Sequence, residues 1–538
     1  MTTSTPFARR DFLRLTGLGA ATLLTGGGLA GLLSGCSPVQ GATLPVSDRT
    51  GGAASTPGAE VDIALKATRG EVSILPGQAT RVWTYQAEVS KGDPASVQNL
   101  PDSYLGPIIR VRKGQTVRVR FTNDLTEPSI VHWHGLHLPE DMDGHPRFAI
   151  APGQTYTYEF RVADRAGTYW FHPHRHGRTA FQAYHGLAGL LLVSDDEETA
   201  ASLPAGEYDV PLVIQDRTFD ANNQLVYLPG GMMDQMMGFL GERILVNGQP
   251  DFTLPVATRS YRLRLLNGSN SRIYKLGWAD GTPLTVIATD GGLLEKPVMR
   301  DYVVVSPGER IELWADFSGR PVGTELTLKS LSFSGAESGM MGGGMMGGGM
   351  MMGGGNALPN GAEFDVLRVR VERAATGSQP LPERLSTVQR YRAEEAINRD
   401  RPRVFGIAMT NMMAWTINGR TFEMEGVAAE EIVKLNSLEA WEFDNLTESM
   451  DVMAHPMHVH GVQFQVVERQ VRPALAAGWE TVRAGYVDEG WKDTVLLMPG
   501  ERVKILLKFA DYTGLYLYHC HNLEHEDQGL MRNYRVEA

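Results

Sequence analysis

A short segment near the end of the chain carries an unusual density of metal-ligating side chains. Residues 519–525 read His-Cys-His-Asn-Leu-Glu-His, which places three imidazoles and the thiol of Cys520 within seven positions. The aromatic and apolar residues 515–518 before them predict a β-strand. Because strand side chains alternate between two faces, Cys520 should point to one side and His519 and His521 to the other. The pattern predicts two transition-metal sites joined by covalent bonds, which suits electron transfer better than a structural zinc site.

Three further pairs of histidines occur at the same spacing of two residues. They are His132 and His134, His172 and His174, and His458 and His460. One such pair is usually an ordinary polar pair, but four pairs, one of them threaded by a cysteine, indicate metal binding. Two unpaired histidines, His455 and His525, complete with Cys520 the two-histidine, one-cysteine set of a blue-copper electron-transfer centre. We interpret the other four histidines as ordinary polar residues: His137, His145, His176 and His185.

In order and spacing, these motifs resemble those of the multicopper oxidases, a family that includes laccases and cuprous oxidases. The resemblance covers nearly all of the chain after its N-terminal segment, and it implies four copper ions. Type 1 copper would be held by His455, Cys520 and His525, and type 2 copper by His132 and His458. The two type 3 coppers would be held by His134, His172, His174, His460, His519 and His521. In the family, electrons enter at type 1 copper and dioxygen is reduced to water at the other three ions.

One position departs from the pattern of the bacterial cuprous oxidases. That pattern has an axial type 1 residue ten positions after the cysteine, which here is Leu530, followed by Met531. If Leu530 faces the copper, an extended backbone turns Met531 away from it. We therefore expect an effectively three-coordinate type 1 site, with a higher potential than a thioether ligand would give.

The N-terminal segment predicts export. Arg9 and Arg10 precede a run rich in Leu, Ala and Gly that ends near Leu33, which is typical of a twin-arginine signal, although an uncleaved membrane anchor is the alternative. Residues 33–36 resemble a lipobox, so Cys36 is either lipidated or an ordinary apolar cysteine. We predict a signal over residues 1–36, a flexible tether over 37–59, and a periplasmic or cell-envelope location with membrane attachment through Cys36.

Strand-like segments separated by turn residues recur along the rest of the chain, and helical periodicity is scarce, which predicts an all-β protein. A weak repeat, in which an Asn-Gly or Lys-Gly turn precedes a strand ending in Asn, divides the chain into residues 60–198, 205–374 and 383–538. The resemblance likewise implies three cupredoxin-like Greek-key β-sandwich or barrel domains, and we expect a monomer. Because the metal motifs occur only in the first and third units, the trinuclear site should lie between them, with the middle unit as scaffold.

A segment rich in methionine and glycine, residues 339–355, interrupts the second unit. Its triple glycines leave the methionines no core to fill and predict a mobile hairpin loop. Thioethers select cuprous copper, whereas the alternative is a linker whose methionines scavenge oxidants. Further thioethers are offered by Met232, Met233, Met236, Met237, Met409, Met412 and Met413.

The family resemblance adds two candidate residues just before His455. Asp451 and Met453 match positions that bind substrate copper in cuprous oxidases, although strand-end polarity and core filling are their alternative roles. The candidate ligands of substrate copper are therefore Asp451, Met453, Met340, Met341, Met345, Met346, Met350, Met351 and Met352.

Reduction of dioxygen to water consumes protons, so carboxylates should lie near the cluster. Asp143 matches the acidic residue that follows the first histidine motif of the family, and Glu526 matches the acid beside its type 3 coppers. Each carboxylate has an alternative role as a hydrogen-bond acceptor that orients the imidazoles.

The leading hypothesis is an exported multicopper oxidase that couples oxidation of cuprous ions to reduction of dioxygen, in copper tolerance. A laccase that oxidises phenols or aromatic amines is the alternative among enzymes. A copper-binding electron carrier is the alternative from another class, although eight further imidazoles exceed its needs. The net charge of −12 and the lack of a Lys- or Arg-rich run argue against a nucleic-acid partner.

Overall fold

The computed structural model describes residues 59–100, 102–339, 358–410, 414–446 and 451–538. The predicted signal, Cys36, the tether up to residue 58 and the methionines of residues 340–352 lie outside this part of the chain. No helix of the described residues is long and apolar enough to cross a membrane. Within the same residues the α-helices are α1 (Thr179–Tyr184), α2 (Asp196–Ala201), α3 (Met232–Met237), α4 (Ala476–Glu480) and α5 (Leu523–Asp527).

Apart from one two-stranded ribbon, the described strands form three pairs of β-sheets, each pair built from one continuous stretch of chain. We call these stretches the first, second and third domains. The strands of the first domain are β1 (Val61–Val72), β2 (Thr80–Lys91), β3 (Val97–Gln98), β4 (Ile108–Arg112), β5 (Thr116–Asn123), β6 (Val131–His134), β7 (Thr155–Arg161), β8 (Gly167–Pro173) and β9 (Gly189–Ser194). They form the sheets β2-β1-β5-β7 and β3-β4-β9-β8-β6.

The second domain has the longest sheet. Its strands are β10 (Asp209–Phe219), β11 (Leu225–Val226), β12 (Arg243–Val246), β13 (Gln249–Pro250), β14 (Thr253–Ala257), β15 (Ser260–Asn267), β16 (Tyr274–Trp278), β17 (Leu284–Thr289), β18 (Gly292–Arg300), β19 (Val303–Val305), β20 (Arg310–Asp316), β21 (Glu325–Ser330), β22 (Glu337–Gly339) and β23 (Phe364–Arg373). The sheet orders are β13-β12-β10-β15-β20-β17-β18, with β11 paired to β10, and β14-β23-β21-β16-β19.

The third domain repeats the two-sheet arrangement. Its strands are β24 (Arg403–Met409), β25 (Trp415–Ile417), β26 (Ile432–Lys434), β27 (Leu438–Asn445), β28 (Asp451–Met453), β29 (His455–Val459), β30 (Phe464–Val471), β31 (Thr494–Leu497), β32 (Glu501–Lys508), β33 (Gly514–Cys520) and β34 (Met531–Glu537). They form the sheets β25-β24-β27-β32-β30 and β26-β34-β33-β29-β31. The architecture is all-β, as predicted, and each domain buries its own apolar cluster between its two sheets.

The sequence repeat has a structural basis at the end of one strand in each domain. Strands β5, β15 and β27 end at Asn123, Asn267 and Asn445, and each lies next to a parallel strand. All three asparagines are buried, and each Nδ2 donates to two main-chain carbonyls of other segments, at 2.6–3.1 Å. The repeated asparagine therefore satisfies main-chain groups where the chain leaves the sheet.

Apolar and polar side chains alternate along strands such as β5, so that one face of the sheet is buried in the sandwich. In β5 the apolar Val117, Val119 and Phe121 are buried, whereas the intervening polar side chains are partly exposed. Burial of one such face against the second sheet stabilises the pair by roughly 1.5–3 kcal/mol per large apolar side chain. The third domain places its own apolar face, with Trp441 and Phe443 on β27, against the strand that carries Cys520.

The segments between domains are partly ordered. The predicted linker at residues 194–205 contains α2, whose N-terminus is capped by Asp195 through a 2.8 Å bond to the main-chain N–H of Glu198. Residues 374–402 contain no strand, and they contact the second domain through Ser386 and the third through Asn398.

A two-stranded ribbon joins the second domain to the third. Strands β21 and β23 pair as the arms of the predicted hairpin, and the described start of its loop forms β22. Strand β22 pairs with β28, so Glu337 lies opposite Met453 and Gly339 lies opposite Asp451. The main chain therefore enters the methionine-rich segment directly beside the residues that precede His455.

Candidate metal centre

Two neighbouring strands of the third domain carry both predicted sites on opposite faces. Strand β29 pairs with β33 so that Met457 lies opposite Cys520, and His458 lies opposite His519. Strand β29 begins at His455, which therefore shares a face with Met457 and not with His458. The geometry separates a set containing Cys520 from a set containing only imidazoles.

The first set consists of His455, Cys520 and His525. Their ligand atoms lie within 4.8 Å of one another, and all three residues are fully buried. Cys520 Sγ lies 3.4 Å from His455 Nδ1 and 3.8 Å from His525 Nδ1. The main-chain N–H of Asn522 points at the same sulfur over 3.4 Å, which favours a thiolate, while burial raises the pKa of the free thiol. A bound cation would be needed to ionise this thiol.

A main-chain carbonyl of the second domain determines the tautomer of His525. His525 Nε2 lies 2.9 Å from the carbonyl oxygen of Met236, on α3, and must donate to it. This leaves His525 Nδ1 as the unprotonated atom facing Cys520. The indole of Trp415 donates to the same carbonyl and packs against the rings of His455 and His525. The set is thus covered by α3 and Trp415.

Leu530 is the residue predicted for the axial position of this set. Its side chain is fully buried in the apolar cluster that also contains Cys520, Met453 and Met457. Its main chain accepts from the N–H of Cys520 over 3.0 Å and donates to the carbonyl of His525 over 3.0 Å. The axial assignment of Leu530 stays a prediction, and Met531 is also fully buried, opposite His519 on β33.

The second set brings together four strands from two domains. In the first domain β6 pairs with β8, and His132 lies opposite His172, as His458 does opposite His519 in the third domain. Between the domains, His132 Nε2 lies 3.4 Å from His458 Nε2. All members of the set are fully buried. They are His132, His134, His172, His174, His458, His460, His519 and His521.

The eight imidazoles lie in overlapping groups, and their division into type 2 and type 3 ligands stays a prediction. His519 Nε2 lies 3.1 Å from His460 Nε2 and 3.3 Å from His174 Nε2. The rings of three further members of the set have centroids 5.0, 5.3 and 5.6 Å apart. These three are His134, His172 and His521.

Hydrogen bonds at Nδ1 turn the Nε2 atoms of most of these rings toward the centre of the set. The Nδ1 atoms of five rings lie 2.6–3.0 Å from acceptor oxygens of the protein. These five are His132, His172, His458, His460 and His519. His134 is reversed, because its Nε2 donates to Asp493 Oδ1 over 2.9 Å and its Nδ1 has no hydrogen-bond partner.

Burial keeps the imidazoles neutral. It lowers the pKa of all ten candidate histidine ligands, to about 3 for His172 and His525 and to about 4 for His458. Neutral imidazole is the form that binds a metal. His134 Nδ1, His172 Nε2 and both ring nitrogens of His521 are buried without a partner, at a cost of about 1–3 kcal/mol each. Coordination to metal ions would satisfy His134 Nδ1, His172 Nε2 and one ring nitrogen of His521, so the residues present fit a bound cluster.

The two predicted carboxylates lie beside the cluster in different ways. Asp143 Oδ2 accepts from His460 Nδ1 over 2.7 Å, and its carbonyl accepts from His132 Nδ1 over 2.6 Å. These contacts favour the orienting role for Asp143. Glu526 makes longer contacts, 3.3 Å to His519 Nδ1 and 3.7 Å to His174 Nδ1. Burial raises the pKa of both carboxyl groups.

The remaining predicted residues lie outside these sets. The four histidines assigned to ordinary roles take part in none of the metal-ligating groups of the described residues, and His137 instead bonds Asp164. Met453 is buried in the apolar cluster of the third domain, and the main chain of Asp451 pairs with Gly339. The methionines of residues 340–352 lie outside the described residues.

Three contributors to the site were not expected from the sequence: Asp493, Arg310 and the carbonyl of Met236. Asp493 follows Trp491 and Lys492 in a segment without a ligand motif, and Arg310 lies in the second domain. Only the tertiary structure brings these groups to the histidines, and a main-chain carbonyl has no signal in the sequence.

The fold is all-β, and strand β33 separates a set of two histidines and one cysteine from a set of eight imidazoles. This combination defines a protein of the copper oxidase class. Two family models described as multicopper oxidase match residues 81–198 and 396–538. A laccase of Bacillus stratosphericus is 31% identical over 503 residues, covering 84% of this chain and 90% of the relative. The crystal structure of the multicopper oxidase McoA from Aquifex aeolicus has a TM-score of 0.72 and 34% identity, covering 89% of this chain and 96% of that one.

The chain belongs to the multicopper oxidase family, whose members are oxidoreductases that use copper and take dioxygen as electron acceptor. Its domains are cupredoxin-like. A relative with a different name, the cell division protein FtsP of Sodalis glossinidius, is 30% identical over 473 residues, covering 86% of this chain and 89% of the relative. The electron donor of this chain therefore depends on the residues around the site.

The position of Leu530 leads to a test of the axial site. We expect Leu530→Met to lower the potential of type 1 copper, because an added axial donor stabilises the cupric form of the ion more than the three-coordinate cuprous form. The measurement is a redox titration of the blue absorption in the copper-loaded protein.

The matched control is Leu523→Met, since Leu523 is equally apolar and buried but packs against Ala180 and Ala183 on α1. This control should leave the potential unchanged. An unchanged potential in Leu530→Met would remove Leu530 from the axial position.

Proposed function

We propose that the protein is an exported multicopper oxidase that oxidises cuprous ions and passes the electrons to dioxygen, in copper tolerance. The proposal of cuprous ions as the electron donor rests on the structure that covers His525. His455 and His525 are fully buried, and α3, with four methionines among its six residues, closes the side of His525 Nε2. Because both imidazoles are buried, a bulky phenol could not contact either of them. A small soft cation, by contrast, can be passed from one thioether to the next.

The protein would hold four copper ions with the residues named above. Type 1 copper would be bound by His455 Nδ1, Cys520 Sγ and His525 Nδ1. When bound, the ions supply one-electron oxidation of the donor at one end and reduction of dioxygen at the other. The chain itself supplies neutral, pre-oriented imidazoles and a covalent route from Cys520 through its neighbours His519 and His521.

Methionines lie at several positions around the type 1 set. Met232 and Met233 are 71% and 42% exposed, so their sulfur atoms are available at the surface. On the inner side, Met237 and Met409 pack partly buried against the cluster that contains Cys520, and Met409 lies opposite Trp415. This series from surface to interior supports a path for cuprous ions to the buried site.

The ribbon of β22 and β28 supports a role for the methionine-rich segment in the same path. Because Gly339 lies opposite Asp451, the chain enters that segment next to the residues matched to substrate-copper ligands. This pairing brings a strand of the second domain beside β28 of the third domain, which ends just before the predicted type 1 ligand His455. Export by the twin-arginine route and lipidation of Cys36 remain part of this proposal on sequence grounds.

Two alternatives make different demands on the site. A laccase would need an exposed imidazole edge, and the likeness to a Bacillus stratosphericus laccase favours it in general terms. A copper-binding electron carrier would not need the second set of eight buried imidazoles, in which His134, His172, His174 and His521 have ring nitrogen atoms without a hydrogen-bond partner. We therefore rank cuprous oxidation first and oxidation of phenols or aromatic amines second.

Replacement of the surface methionines tests the donor. In Met232→Leu/Met233→Leu, which keeps volume but removes both sulfur atoms, we expect KM for cuprous ions to rise several-fold. Turnover of a phenolic donor should be unchanged, because the substitution leaves the cover over His525 in place. Dioxygen consumption by the copper-loaded protein measures both activities.

The control for this test is Met299→Leu, an exposed methionine in the second domain that is 63% exposed and lies on β18. It should leave both activities unchanged. If the double variant changes phenol oxidation and not cuprous oxidation, the laccase alternative replaces the proposal.

Glu526 is the proposed proton donor to the dioxygen-reducing set. Burial raises the pKa of Glu526, which favours the protonated form of this carboxyl group beside His174 and His519. We expect Glu526→Gln to slow reoxidation of the fully reduced protein by about 100-fold, because a positioned acid is lost. Stopped-flow mixing with dioxygen measures the rate, and the copper content should stay at the wild-type level. Reoxidation at the wild-type rate would remove Glu526 from proton delivery.

A further inference from the structure

A chain of buried charges connects the second domain to the histidine cluster. Arg310, the first residue of β20, donates through Nη1 to Asp493 Oδ1 over 2.8 Å and through Nη2 to Asp493 Oδ2. Both side chains are fully buried. Asp493 precedes β31 of the third domain, so this two-pronged ion pair crosses from one domain to the other.

Asp493 contacts two of the candidate ligands from different domains. Its Oδ1 accepts from His134 Nε2 over 2.9 Å, and its carbonyl accepts from His458 Nδ1 over 2.8 Å. The first contact is the one that reverses His134 and leaves Nδ1 to face the cluster. One residue therefore sets which nitrogen atom two imidazoles present.

The guanidinium of Arg310 has no freedom to move. Its Nε donates to the carbonyl of Thr168, and its two terminal nitrogens donate to the carbonyls of Gly308 and Asp290, each over 2.9 Å. With the two bonds to Asp493, all five N–H groups of the side chain have acceptors. A lysine can offer only three donors on a flexible stem and cannot reproduce this fork.

The first domain leaves space for the same pair. Gly135, which directly follows His134, has a φ of +94°, and a Cβ there would lie 2.5 Å from Asp493 Oδ2 and 2.8 Å from Arg310 Nη2. A side chain at this position would displace the pair or the strand that carries His134. All three domains therefore meet at the Arg310–Asp493 pair.

We propose that Arg310 is a positioning residue for the metal cluster: it fixes the carboxylate of Asp493, which holds His134 with Nδ1 as its ligand atom. The second domain then takes part in metal binding and is more than a scaffold. This role does not depend on which donor the protein oxidises. If the Arg310–Asp493 pair is disturbed, the orientation of His134 should change before that of the other imidazoles.

The test uses Arg310→Lys in the copper-loaded full chain. Loss of a partner behind a metal ligand typically weakens metal binding by 10- to 100-fold, so type 2 and type 3 copper should leave at a chelator concentration lower by about that factor. The type 2 electron paramagnetic resonance spectrum should change, while the blue absorption of type 1 copper stays the same. Retention of cluster copper and of the type 2 spectrum at wild-type levels would overturn the proposal.

Arg262→Lys is the matched control. Arg262 is 2% exposed, lies in the same domain and pairs with the buried carboxylate of Glu312, but it contacts no candidate ligand. It should lower thermal stability as Arg310→Lys does and leave copper retention unchanged. An equal loss of cluster copper in the control would show that any buried ion pair of this domain has the same effect, and would contradict a positioning role.

A second variant keeps the test decisive if Arg310→Lys does not fold. In Asp493→Asn the amide oxygen is drawn to Arg310, so the amide nitrogen faces His134 Nε2 and favours the opposite tautomer. The same loss of cluster copper with intact blue absorption is expected. In the wild-type protein, a copper-loaded crystal structure should show His134 bound through Nδ1, and binding through Nε2 would overturn the proposal.

Discussion

The alternation of side chains along one strand is the constraint on which the site depends. At the end of β33, Cys520 faces the set with His455 and His525, while His519 and His521 face the eight-imidazole set. A single peptide unit joins Cys520 to His519 and another joins it to His521, so neither set can move without the other. The pairing of β29 with β33 places His458 opposite His519, and it places Met457, which shares the face of His455, opposite Cys520.

Burial of neutral imidazoles is the second constraint, and it explains why so much of the protein surrounds the site. Fully buried ring nitrogens need partners, and the protein supplies carbonyls, Asp143 and Asp493 on one side of most rings of the eight-imidazole set while leaving the other side open. Such half-satisfied rings are costly in a folded chain unless metal ions complete them. The second domain contributes at both sets, through the carbonyl of Met236 and through Arg310.

Short-range patterns allowed most of the fold and the grouping of candidate ligands to be predicted. The His-x-His spacing and the strand period place residues such as His458 and His460 on one face without any tertiary information, and the Asn-terminated strands mark the three domains. Contacts over long sequence separations could not be predicted in this way. Arg310 meets Asp493 only because two domains pack together, and the cover of α3 over His525 depends on a main-chain carbonyl.

The central claim is that cuprous ions supply the electrons that reduce dioxygen to water. The most direct test is to mix the copper-loaded protein with a limiting amount of cuprous ions and to record dioxygen consumption and peroxide formation together. Because reduction of dioxygen to water takes four electrons, the account predicts one dioxygen consumed for about four cuprous ions, with no peroxide. Consumption of one dioxygen for about two cuprous ions, with peroxide released, or no catalysed consumption at all, would contradict it.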